Sequence, residues 1–153
     1  MEPEKSYKSL QKKFALPDWN ELDKIFEVSM IEKDRFILRE IRRKITEKLE
    51  HYIKILDGVM NPDTSVSCLH ECRFFTDTEK KAIFDLYSEL MTYVRNSDIC
   101  GLVSDEKMDA EFISSVTSQW PKIQSRLYKI LEKLKKSWME KEVSEKDIIA
   151  YFG

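Results

Sequence analysis

The residues best equipped for chemistry in this 153-residue chain are Cys68, His70 and Cys72, with Cys100 further along. Thiolate and imidazole are the ligands zinc prefers, and three cysteines with one histidine would close a tetrahedral site. The spacing is Cys-x3-Cys rather than the tighter Cys-x2-Cys knuckle, and no second pair matches it. Ordinary buried or surface thiols are therefore the expectation, with zinc as the alternative. The same cluster would also offer a cysteine nucleophile with His70 as its base. Residues two apart in a loop rarely reach hydrogen-bonding geometry unaided, and no orienting third group or oxyanion donor is identifiable. A metal-binding or cysteine-dependent enzyme or sensor built on the Cys68–Cys72 loop is the runner-up function.

Other enzyme signatures are missing. There is no glycine-rich phosphate loop and no dinucleotide fingerprint. A di-iron bundle needs a Glu-x-x-His pair on each of two helices. Glu47, Glu50 and His51 do not give that spacing, and the residue three before His70 is Ser67. Arg43 and His51 lie too far apart on one helix, with Lys48 and Glu50 between them, to act together on a nucleotide. No catalytic residue is assigned and, zinc aside, no cofactor is expected.

A cationic pattern follows. Lys122, Arg126, Lys129, Lys133 and Lys136 repeat at steps of four and three, lining one helix face for ~21 Å. Such a stripe can track a phosphate backbone and release its counterions, so nucleic acid is a candidate partner. The solvated face of any bundle helix makes the same pattern. Arg35, Arg39, Arg42 and Arg43 gather on one flank of an earlier helix, with Glu47 spaced to pair with Arg43. The formal charge of −2 gives no global attraction to polyanions, so such binding rests on these local patches.

At the end of the chain, Glu145 to Gly153 place Ile148, Tyr151 and Phe152 in the order and spacing of three hydrophobic anchors. The segment resembles the sliding-clamp-binding peptide known as the PIP box. One helical turn brings the aliphatic residue and the aromatic to the same pocket. The resemblance implies a protein partner, a sliding clamp, and work in DNA replication or repair. Glu145 stands where the motif has Gln, and it lacks that residue's amide donor. Docking of the same three side chains on the core is the alternative.

The elements that must position these residues are helices. Only three glycines and four prolines punctuate the chain, and strand-like alternation is confined to Val66–Leu69. The predicted fold is all-α, an antiparallel bundle of four main amphipathic helices plus short terminal ones. Residues 1–16 form an N-terminal segment with a short docking helix, 17–140 the bundle domain, and 141–153 a tail with a possible short helix. The organising helix runs from Phe36 to Met60, where Leu38, Ile41, Ile45, Leu49, Tyr52, Leu56 and Val59 make one apolar stripe.

Asp18 with Glu21 and Thr76 with Glu79 form capping boxes, and Ser104 caps a further helix. A break is expected near Ser29, an irregular loop over 61–75, a helix end between Asn96 and Gly101, and a boundary at Trp120-Pro121. Phe84 and Met91 widen the seam made by Ile83, Tyr87, Leu90 and Val94. Trp138 ends the apolar side of the last long helix.

No apolar run approaches the ~18 residues of a membrane span, and the first ten residues do not read as a signal peptide. Three cysteines suit reduced thiols in the cytoplasm, or in the nucleus of a eukaryote. The preferred function is a small non-catalytic helical protein acting by protein binding. Homo-oligomerisation through aromatics such as Phe36, Phe84 and Tyr93 is a third reading.

Overall fold

A computed structural model describes residues 2–62 and 65–140. Among the described residues the chain is all-α, with no strand. The helices are α1 (Pro3–Phe14), α2 (Trp19–Phe26), α3 (Ile37–Met60), α4 (Val66–Arg73), α5 (Asp77–Val103) and α6 (Glu106–Met139), with a 3-10 turn at Val28–Met30. The chain divides into two compact units, Met1–His51 with Leu90–Pro121, and Tyr52–Glu89 with Lys122–Gly153.

In the first unit, Leu38, Ile41, Ile45 and Leu49 of α3 are fully buried, as are Leu22 of α2 and Phe112, Ile113 and Val116 of α6. Tyr7 of α1 is buried against Trp19, with ring centroids 5.4 Å apart, and its hydroxyl donates to the Pro17 carbonyl. Burial, reinforced by the carboxylates of Asp18 and Glu21, holds that hydroxyl's pKa well above the phenolic range. Asp18 caps α2 by accepting from the Asn20 N–H at 3.1 Å. The expected break is present. Glu27 turns left-handed at φ 55°, and the Ser29 N–H donates to the Asp23 carboxylate at 2.8 Å. Lys48 donates to the Ile25 carbonyl at the C-terminal end of α2 and lies over the Phe26 and Trp120 rings. That position suits a cation both by the helix dipole and by the ring quadrupoles.

Four boundary expectations are corrected. The stretch expected to be an irregular loop contains α4, started by the Ser65 hydroxyl, which accepts from the Cys68 N–H. Its apolar residues do not follow a clear helical period, so tertiary burial decides what pattern alone leaves open. α5 runs on to Val103 rather than ending between Asn96 and Gly101. Ser104 does not cap the helix that follows it. It sits at φ 58° and closes α5 by donating its N–H to the Cys100 carbonyl, while Asp105 takes the cap role by accepting from the Lys107 N–H.

Pro121, expected at a helix start, lies inside α6. A mid-helix proline removes one backbone bond and costs about 3 kcal/mol. Burial of Trp120 and Ile123 beside it offsets that loss.

In the second unit, Leu56, Val59, Phe75, Ile83, Leu86, Ile123, Leu127 and Leu134 are buried. The buried row of α5 passes through Ile83 and Leu86, leaving Phe84 56% exposed and stacked on Tyr87 rather than widening the seam. Trp138 is 43% exposed, whereas its neighbour Ser137 is fully buried.

Candidate functional site

The structure does not assemble Cys68, His70, Cys72 and Cys100 as a ligand set. Cys68 and Cys72 lie one turn apart on α4, so they share a face, while His70 between them points away from it. His70 is buried, and its Nε2–H donates to the Ser137 carbonyl at 2.7 Å. Its ring packs on Trp138 at 4.2 Å and Phe74 at 5.0 Å between centroids, and the Trp138 indole N–H donates to Glu71 at 3.0 Å. His70 thereby holds a carbonyl in the last turn of α6, where helix carbonyls lack an intrahelical donor. Cys100 belongs to the first unit, is buried, and directs its S–H to the Met108 carbonyl. Burial, with Asp109 adding to it, pushes that thiol up and away from the thiolate a metal or a nucleophile requires. Among the described residues no group of three or more His, Cys, Asp or Glu is placed to hold a metal.

The cationic face of α6 is partly neutralised. Arg126 pairs with Glu89, and Lys133 pairs with Glu79 at 2.5 Å. The acids missing from the α6 stripe are thus supplied by α5. The earlier arginine group also disperses. Arg42 is buried, Arg43 pairs with Glu40 rather than Glu47, and Arg35 and Arg39 lie over the exposed ring of Phe36. Phe36 precedes α3 at φ 56°.

Between α5 and α6 of the second unit lies a cleft of about 270 Å³. Phe75, Ala82, Ile83, Leu86 and Ile130 line it, and Arg126, Lys129, Lys133 and Glu79 stand among them. A second, more polar recess of about 490 Å³ shares Lys129 and Lys133 with it and continues past Phe74, Glu132, Lys136 and Glu140.

The rim is built by local sequence. In the expected capping box, the Thr76 N–H donates to Glu79 at 2.9 Å and the Glu79 N–H donates to the Thr76 hydroxyl at 3.2 Å. The second oxygen of the same Glu79 holds Lys133, whose ammonium lies 5.2 Å from the centre of the Phe75 ring. The Lys133 bond, followed by that from Thr76, holds the Glu79 carboxyl below its ordinary range. A carboxylate with a depressed folded pKa contributes stability above its unfolded pKa and loses it as pH falls through the folded value. Glu79→Gln is therefore expected to flatten the acid limb of the stability profile below about pH 4.5, read by urea denaturation at a series of pH values.

A buried polar cluster in the first unit escapes sequence reasoning. The Arg42 Nε–H donates to Asp109 at 2.8 Å, and its Nη1 donates to the Ser97 hydroxyl at 2.7 Å and the Ser97 carbonyl at 3.0 Å. The Thr46 hydroxyl joins Ser97 at 2.8 Å. Burial holds the Asp109 carboxyl above its ordinary range, and Arg42 offsets only part of that rise. The one sequence signal is that Arg42 lies between Ile41 and Ile45, beside the apolar stripe rather than opposite it. With every member hydrogen-bonded, the cluster is built as a structural element of the core.

Ile148, Tyr151 and Phe152, the clamp-binding-like anchors, lie outside the described residues. No helix among the described residues is long and apolar enough to cross a membrane. No protein-family model matches the chain, and neither curated proteins nor solved structures yield a match.

Proposed function

We propose that this protein is a non-catalytic binding module and that the α5–α6 cleft of its second unit seats an apolar side chain of a protein partner. The observation that carries the reading is the cleft itself, apolar inside and charged at the mouth. Its volume of about 270 Å³ is close to the lower limit of pockets that enclose whole small ligands, about 300 Å³, and suits one or two large side chains instead. Binding surfaces of this kind concentrate affinity in a few anchors surrounded by a polar rim. Neutralisation of Arg126 and Lys133 by α5 carboxylates favours protein over nucleic acid as the ligand of this face.

In this reading the Ile148, Tyr151 and Phe152 tail is a second protein contact. Its resemblance to the clamp-binding peptide makes the replication or repair machinery the setting to test, and loss of clamp binding in Tyr151→Ala/Phe152→Ala checks that contact. The cleft is checked separately with N-acetyl-tryptophanamide, a neutral probe, followed by methyl NMR on the full chain. Shifts confined to Ile83, Leu86 and Ile130 and abolished by Ala82→Phe are expected. Ala82 is exposed, so the larger ring fills the cleft without disturbing the core. Unmoved methyl signals at millimolar probe would end the cleft reading.

A further inference from the structure

We infer that the partner segment seated in the α5–α6 cleft is acidic beside its apolar anchor, its carboxylate being received by Lys129. The inference rests on the binding-module reading above and adds the chemistry of the ligand.

The charges at the cleft mouth are not equivalent. Arg126 and Lys133 are each committed to a glutamate of α5, Glu89 and Glu79 respectively. Lys129, which helical spacing puts on the same face between them, is exposed and has no ion-pair partner among the described residues. Like Lys133 it lines both recesses, so it stands where the two adjoin. With Arg126 and Lys133 each paired to a glutamate, Lys129 leaves the cleft one positive charge in excess for an arriving carboxylate to meet.

Beyond Lys129 the polar recess alternates in sign. Lys136 stands near Glu132 and Glu140, which gives a ligand no uniform field to follow. A polyanion such as a nucleic-acid backbone would meet Glu132 and Glu140 as it ran along this face, whereas a short segment with one acid next to its anchor would not need to reach them. Charge and shape therefore agree on a peptide with a large apolar residue flanked by Asp or Glu. The anchor gives affinity and the acid gives selectivity, the usual division between desolvated and rim groups.

The test uses two dye-labelled synthetic pentapeptides on the full chain, identical except that the central Trp is flanked by Asp in one and by Lys in the other. The acidic peptide is expected to bind roughly fivefold or more tightly than the basic one at low salt, as partly exposed charge pairs allow, with the advantage shrinking as salt is added. Lys129→Glu should erase or invert the preference, and Ala82→Phe should remove binding of both peptides. Neither substitution touches a core residue, so both variants should fold as the parent does.

Equal binding of the two peptides, both lost in Ala82→Phe, would overturn the acidic assignment and leave the binding cleft standing. No binding of either peptide, together with a silent neutral probe, would overturn both. Tighter peptide binding by Tyr151→Ala/Phe152→Ala would show the chain's own tail to be the occupant. Concentration-dependent self-association blocked by Ala82→Phe would show a second copy to be the occupant. Each of these last two results would overturn the assignment to a partner.

Discussion

Asp109→Asn is expected to destabilise the first unit by about 3–5 kcal/mol. The amide keeps the shape and can still accept from Arg42, so packing is nearly unchanged. What disappears is the counter-charge of a guanidinium that is 7% exposed and cannot lose its proton. Ser97 and Thr46 supply dipoles but no opposing charge. Set against the ~5–15 kcal/mol total stability of a domain, a loss of this size leaves little margin.

The companion result separates charge from packing. Arg42→Met/Asp109→Leu removes both ions and refills the space with apolar atoms, and it should recover most or all of the loss. Urea denaturation followed by circular dichroism measures both variants. A double variant as unstable as Asp109→Asn alone would mean that the hydrogen bonds to Ser97, not the ion pair, hold this region.

His70→Ala is expected to cost the second unit about 2–4 kcal/mol. The loss of the bond to the Ser137 carbonyl leaves an acceptor unsatisfied, which accounts for about 1–3 kcal/mol. Contacts with Trp138 and Phe74 add about 0.5–1.5 kcal/mol for each aromatic pair. Because Trp138 packs on the imidazole and donates to Glu71, its fluorescence should shift to the red as the ring loses its cover. A change under about 0.5 kcal/mol would mean that neither the bond to the Ser137 carbonyl nor the ring packing holds this region.

These two residues show where a sequence alone stops informing. The α3 stripe from Leu38 to Val59 was legible because helical periodicity is local, and six of its seven members are buried, with Tyr52 half-buried. The Thr76–Glu79 box was legible for the same reason, since its partners are three residues apart. So was the all-α class, from the scarcity of glycine, proline and alternating patterns.

The missed features depend on which faces meet. Beyond its place beside the apolar stripe, nothing local distinguishes Arg42, whose partners Ser97 and Asp109 lie on other helices, from the arginines around it. Nothing local shows that the unbroken cation row of α6 finds its acids on α5, or that His70 reaches across to Ser137. Helix formation and capping are short-range and therefore written in the order of the residues. Charge pairing, burial of polar groups and the shape of a cleft are decided only when segments far apart in the chain are packed together, because desolvation and Coulomb attraction depend on distance in space.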